Sequence, residues 1–225
     1  MIKQIFVSND DTLSMRYDAS VPEMDKHELV HFLHDRFFSV YPEKKILEVS
    51  TRGDKNEGKA LSAFNLCYTL KKSQQKVSVE SAFQGSKVFT DGSTYPDLFY
   101  KNSYTAKMDK RRWGKQIAFY LFYGQRFKIS PPTLFYNWLY LKTLQVNPQV
   151  WDTVKEYDAY TDTAADMNRS INCQARACAI AHSLFKLGLF EEALENLDNF
   201  KRIIYNHEEP VLNFEYDNQH SLLSL

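Results

Sequence analysis

A strand pattern followed at once by a helix pattern does most to limit what this chain can fold into. Residues 2–8, IKQIFVS, alternate apolar and polar side chains and run into the turn signal NDD. Residues 25–40, DKHELVHFLHDRFFSV, set Leu29, Val30, Leu33 and Phe37 at helical spacing behind Asp25, a candidate N-cap, and stop before Pro42. A helix that is apolar on one stripe has to lay that stripe on another layer of structure. Two strand-like runs follow, KILEVSTR at 45–52 and ALSAFNLCYTL at 60–70, with the polar turn GDKNEGK between them. The segment 78–89, SVESAFQGSKVF, reads as a helix, and TDGSTYPDL after it as a loop. Residues 108–124 begin basic and turn apolar. Residues 130–148 enter a helix through prolines and close near Pro148. The acid-rich stretch 150–168 reads as an irregular loop, and the runs on either side of Gly188 as a helical hairpin.

With no internal repeat and no break in composition, the pattern predicts a single α+β domain, mostly helical around a small β-sheet. The domain is expected over 1–205, with a loosely held C-terminal tail at 206–225. At 225 residues the chain is long enough to bury one substantial core. Its 28 basic and 28 acidic residues balance, so total charge announces neither a nucleic acid nor a membrane as partner. No apolar run reaches the roughly 18 residues of a membrane span, and the N-terminus lacks a signal-peptide pattern, so a soluble, cytoplasmic protein is expected. Cys67, Cys173 and Cys178 are odd in number and lack CxxC spacing, which argues for buried thiols over disulfides or structural zinc. Aromatic content of 15% is high, and a Phe-rich core accounts for it more simply than a base-stacking pocket.

Two motifs compete as carriers of chemistry. HELVH at 27–31 matches the H-E-x-x-H zinc pattern, with His34 on the next turn. His34 breaks the longer zinc-protease spacing, and only about 20 residues precede the helix, too few to wall a protease cleft. A solvated polar face is the better reading. In 78–89, a helix would bring Glu80, Gln84 and Lys87 onto one face beside Val79 and Phe83. A carboxylate partly desolvated by such neighbours is poised for acid–base work.

SAFNL at 62–66, VESAFQGSKVF at 79–89, KRRWGKQ at 110–116 and EYDAYTD at 156–162 together resemble the signature of the NADAR family. With LEVSTR and NCQARA added, the similarity is to the branch paired with DarT-type ADP-ribosyltransferase toxins, in which the NADAR protein is the antitoxin. The resemblance implies a NADAR-like α+β fold and an N-glycosidase that removes ADP-ribose from guanine in DNA or RNA, with no cofactor and no metal. It implies ADP-ribosylated DNA, ADP-ribose and a DarT-type toxin as partners. Other members of the family cleave N-glycosidic bonds in small riboflavin-pathway intermediates, and a non-catalytic module that binds ADP-ribose or inhibits the toxin is the third alternative.

Carried over by position, the family's glutamate falls on Glu80, its tryptophan on Trp113 and its aspartate on Asp162 or Asp158, of which Asp162 is favoured. The family's histidine after the glutamate is replaced here by Ser81. Cleavage of a ribose–nitrogen bond builds positive charge at the anomeric carbon and negative charge on the leaving base. Glu80 and an aspartate would serve as the acid–base pair and Trp113 as a stacking wall. Lys87 would act either as a Schiff-base nucleophile or as a charge partner of Glu80. Ser62, Phe64, Asn65, Phe83, Gln84 and Asn172 are candidate substrate contacts. Arg52, Arg111 and Arg112 are candidates for pyrophosphate or nucleic-acid backbone.

Overall fold

The computed structural model describes residues 2–71, 73–165, 172–206 and 211–214. β1 (Ile2–Asn9) and β2 (Leu13–Ser20) form an antiparallel hairpin, and α1 (Lys26–Val40) follows. The start of α1 is set locally. Asp25 accepts from the His27 amide at 2.8 Å while the Glu28 carboxylate reaches back to the Asp25 amide, a capping box. Leu29, Val30, Leu33 and Phe37 are the buried positions of α1, as its spacing predicts.

β3 (Ile46–Glu48) is short, and the expected polar turn after it is instead the entry to α2 (Asn56–Leu61). A close approach explains the glycine there: a Cβ on Gly58 would stand 2.1 Å from the Glu48 carbonyl oxygen. Of the second strand-like run only β4 (Cys67–Thr69) is extended, paired antiparallel with β5 (Lys76–Ser78). The expected helix over 78–89 is divided into α3 (Val79–Gly85) and β6 (Lys87–Phe89). Gly85 meets the Phe99 ring, and its missing Cβ would lie 2.4 Å from Phe99 Cδ2. The Ser86 hydroxyl then donates to the Ala82 carbonyl at 2.7 Å, closing the helix before the chain pairs with the next strand.

After α4 (Ser103–Met108), β7 (Ile117–Phe122) and β8 (Gln125–Phe127) complete a three-stranded sheet ordered β6-β7-β8. α5 (Leu134–Gln145) is buried over nearly its whole length, which is why its apolar residues surround it with no single face. Pro148 begins a further helix, α6 (Pro148–Lys155), and β9 (Ala159–Thr161) follows, so much of 150–165 in the stretch expected to be irregular is ordered by packing, while 166–168 lie outside the described residues. Val154 is the buried residue of α6, and the Trp151 ring stacks 4.3 Å from Phe190. The helical hairpin comprises α7 (Gln174–Lys186), α8 (Phe190–Glu195) and α9 (Leu197–Ile204). Gly188 turns with φ +68°, and Asn196 caps α9 through the amides of Asp198 and Asn199.

The largest sheet runs β10-β2-β1-β9-β3, where β10 (Val211–Phe214) lies parallel to β2. Within the segment expected to be a loose tail, residues 211–214 pair as a sheet strand with no local signal, because the partner lies nearly 200 residues away; 207–210 and 215–225 lie outside the described residues. The fold is α+β, as expected, with α7 packed on β1, β2 and β9. The aromatic content goes largely into the core. Phe83, Tyr120, Phe127, Phe135 and Tyr136 are all buried and in mutual ring contact, for example Tyr120 to Phe135 at 4.8 Å. Cys173 and Cys178 are buried free thiols and Cys67 is half-buried. Among the described residues no helix is long and apolar enough to cross a membrane.

Candidate active site

A cleft of about 1110 Å³ opens between α3, α4, the Trp113 turn, the start of α5 and the loop that follows β9. Glu80, Phe83, Gln84 and Lys87 line it, as do Trp113, Asp162, Ser62, Phe64 and Asn172. Residues from five separate stretches of the chain thus converge on one surface.

Glu80 lies in the first turn of α3, capped by the Ser78 hydroxyl, which accepts from the Ser81 amide at 3.0 Å. Its own amide donates to the Ala63 carbonyl at 2.9 Å, which ties α3 to the SAFNL turn. Only 7% of Glu80 is exposed. The i, i+4 spacing seen in the sequence is used directly: Gln84 Nε2 donates to Glu80 Oε1 at 2.7 Å. Gln84 Oε1 accepts in turn from Arg112 Nη1, and Arg112 Nη2 is anchored on the carbonyls of Ala106 and Lys107, each at 2.7 Å. Arg112 therefore orients the glutamate through Gln84 and is not among the residues that line the cleft.

Lys87 reaches the cleft from β6 and not from a third helical turn. Its ammonium lies 4.8 Å over the Phe83 ring. Burial, with a smaller push from Arg112, depresses its amine to about 8 against the attraction of Glu80. Asp162 follows β9. Burial above all, and then the charge of Glu48, raise its carboxyl to about 7, opposed by the Ala165 amide, Lys107 and Gln174. Gln174 spans two parts of the site, since its Oε1 accepts from the Ala63 amide at 2.7 Å. Trp113 stands at the mouth, 58% exposed, with the Lys110 ammonium 5.7 Å from its ring.

Several candidates lie elsewhere. Asp158 accepts from the Lys45 amide at 3.0 Å and lies outside the cleft, so the structure separates the two aspartates that the sequence left open. Arg52 donates to the Thr163 carbonyl at 2.7 Å and Arg111 pairs with Asp97 and Asp109. Asn65 is exposed and donates to the Lys59 carbonyl at 2.8 Å. Ser81, at the family's histidine position, is 1% exposed, and its hydroxyl donates to the Lys101 carbonyl at 2.9 Å, outside the cleft. In the HELVH stretch, His27 and His31 both face the Asp54 carboxylate, at 3.3 and 3.2 Å, on the exposed side of α1. Nε2 of His34 lies 3.1 Å from the Thr161 hydroxyl, and burial lowers its imidazole to about 4.

Sequence reasoning missed Tyr136, Lys107 and Gln174, all of which line the cleft. Tyr136 is 6% exposed, its ring held edge-on by Phe83 at 5.4 Å and stacked on Tyr140 at 6.1 Å. Burial first, then the negative charges of Glu80 and Asp162, hold its phenol well above the usual range, so its hydroxyl stays a donor. Its position in a helix apolar on every side hid it.

Fold and cleft together define a small α+β protein with two carboxyl groups and an amine gathered around a buried phenol. The sequence comparison identifies which such protein this is. A model of the DarT1-associated NADAR antitoxin family matches residues 3–212, and the chain belongs to that family. No curated relative matched the chain.

Proposed function

We propose that this protein is an N-glycosidase that removes ADP-ribose from guanine bases in DNA and so acts as the antitoxin of a DarT-type ADP-ribosyltransferase. The observation that carries the reading is the pairing of Glu80 and Asp162 in one cleft with opposite surroundings. Glu80 is held by an amide donor, whereas burial and a carboxylate behind it raise the Asp162 carboxyl to about 7, so that about half of it carries a proton at neutrality. Environments that drive two carboxyl groups apart are how acid and base roles are assigned in glycoside cleavage.

In this reading Asp162 delivers its proton to the departing guanine nitrogen as the bond to the anomeric carbon breaks. Glu80 supports the positive charge that develops on the ribose and takes a proton from the attacking water. The products are free ADP-ribose and the restored guanine amine, and Asp162 recovers its proton from solvent. Tyr136, whose phenol feels the charge of both carboxyl groups, offers its hydroxyl in the same cleft. Lys87, with about a tenth of its amine neutral at pH 7, is poised to add to the C1 aldehyde of a ring-opened ribose and expel its oxygen as water, giving a Schiff base that hydrolysis reverses. Trp113 presents an exposed ring on which a base can stack.

The cleft volume lies just above the roughly 300–1,000 Å³ of small-molecule pockets, which suits a dinucleotide-sized group still attached to its base. The test is incubation of the protein and its Glu80→Gln variant with an ADP-ribosylated guanine oligonucleotide, following adduct loss and ADP-ribose release by mass spectrometry. Release by the unaltered protein alone supports the assignment. Binding without release by either protein would replace it with a non-catalytic role.

A further inference from the structure

Beneath the cleft floor lies a carboxylate that the chemistry above does not use. Glu48, the last residue of β3, is 3% exposed, and its oxygens are crowded with donors. The Ser50 hydroxyl donates to Oε1, the Thr163 amide to Oε1 at 2.9 Å and Oε2 at 3.2 Å, and the Thr163 hydroxyl to Oε1 at 3.0 Å. All of these donors are neutral. A carboxylate taken out of water and met by neutral donors carries a desolvation cost that an apolar residue of the same size would avoid. The surrounding backbone also closes on its side chain, since a Cβ at Gly53 would stand 3.1 Å from Glu48 Cγ.

What Glu48 holds is the residue next to Asp162. Every polar backbone and side-chain group of Thr163 is engaged: its amide and hydroxyl by Glu48, and its carbonyl by Lys3 Nζ at 2.9 Å and Arg52 Nη1 at 2.7 Å. Lys3 also reaches the Ala165 carbonyl at 2.9 Å. Parallel pairing of β3 with β9 sets Glu48 opposite Thr161, so Asp162 leaves the sheet directly beside it.

We propose that Glu48 is a positioning residue of this site: it pins Thr163 so that the Asp162 carboxyl faces the cleft, and it holds a second negative charge behind that carboxyl. The inference rests on the reading of Asp162 as the acid. Glu48 from β3, Lys107 from α4, the Ala165 amide after β9 and Gln174 at the start of α7 act on Asp162, while Tyr136 from α5 and Cys173 just before α7 are raised by its charge. Glu48 disfavours ionisation of Asp162, and Lys107 favours it.

Glu48→Gln keeps an acceptor for Thr163 and removes the charge. The titration of the Asp162 side-chain carboxyl is then read by carbon-13 NMR on the full chain, with the signal assigned by its loss in Asp162→Asn. Its midpoint is expected to fall by roughly one pH unit in Glu48→Gln. At pH 7 the protonated fraction would drop about fivefold, and the pH–rate profile for ADP-ribose release from the adducted oligonucleotide would move down with it. An unmoved midpoint in a folded Glu48→Gln protein overturns the proposal. If that variant does not fold, Glu48→Asp replaces it. Its shorter side chain draws the charge back from Thr163, and the midpoint is expected to fall by a smaller amount; here too an unmoved midpoint overturns the proposal. If the unaltered protein releases no ADP-ribose, the glycosidase reading fails, while the NMR midpoint still decides the role of Glu48.

Discussion

Replacing Asp162 by asparagine is expected to stabilise the protein, and by more as the pH rises. The native carboxyl sits at about 7 against an ordinary 3.8, chiefly because it is buried and next because Glu48 repels its charge. Between those values the native state binds more protons at this position than the unfolded chain, so stability falls as pH climbs through that window. Three pH units at about 1.4 kcal/mol each set a ceiling of about 4 kcal/mol. Asp162 keeps partial contact with water, which brings the expected gain at pH 8 to about 1–3 kcal/mol. Asparagine retains the Oδ1 that accepts from the Ala165 amide at 3.1 Å, so the loop geometry survives the exchange. Urea unfolding of both proteins at pH 5 and pH 8 measures the effect, and the melting temperature at pH 8 should rise by roughly 2–4 °C per kcal/mol. A gain equal at the two pH values, or a loss at pH 8, would refute the argument that the fold holds this carboxyl protonated. The same variant should lose activity, since a residue kept out of its preferred state for chemistry is a cost to stability.

Three further outcomes follow from the site. Tyr136→Phe removes the phenol hydroxyl that feels the charges of Glu80 and Asp162, and it should lower the rate of ADP-ribose release by roughly 10²-fold with little change in melting temperature; an unaltered rate would exclude the phenol from the chemistry. Borohydride added during turnover should fix an ADP-ribose-derived mass on the protein but not on Lys87→Arg, with trapping that increases as pH rises through about 8, where the amine loses its proton. An unmodified lysine would leave Lys87 as a charge partner of Glu80. Gly85→Ala drives a methyl group to within 2.4 Å of the Phe99 ring and should destabilise the fold by about 1–3 kcal/mol, measured by thermal melting.

What could be read from the sequence was governed by short range. The Asp25 cap and the buried face of α1 follow from residues within two turns of one another, and both stand in the structure as the spacing requires. The Glu80–Gln84 bond is likewise a consequence of one helical turn. Even so, the helix assigned to 78–89 overran its end, because Gly85 is fixed by Phe99 and β6 by β7, neither of which lies in that window. The elements within 150–165, where the sequence predicts an irregular loop, arise for the same kind of reason. Their order comes from Trp151 on Phe190 and from the pairing of β9 with β1 and β3.

Sequence alone determined the α+β class, the first helix and its cap, and the segment that carries Glu80, since backbone periodicity and capping act over a few residues. Only the tertiary structure decided that Asp162 and not Asp158 faces the cleft, that Lys87 arrives there from a strand, and that Arg52 and Arg112 support the site from outside it. It alone brought Glu48 beside Asp162 and set Tyr136 within the influence of both Glu80 and Asp162. The proton affinity of a side chain depends on the charges and solvent around it, and in this protein those surroundings are assembled from segments as far apart as Glu48, Lys107, Tyr136 and Asp162.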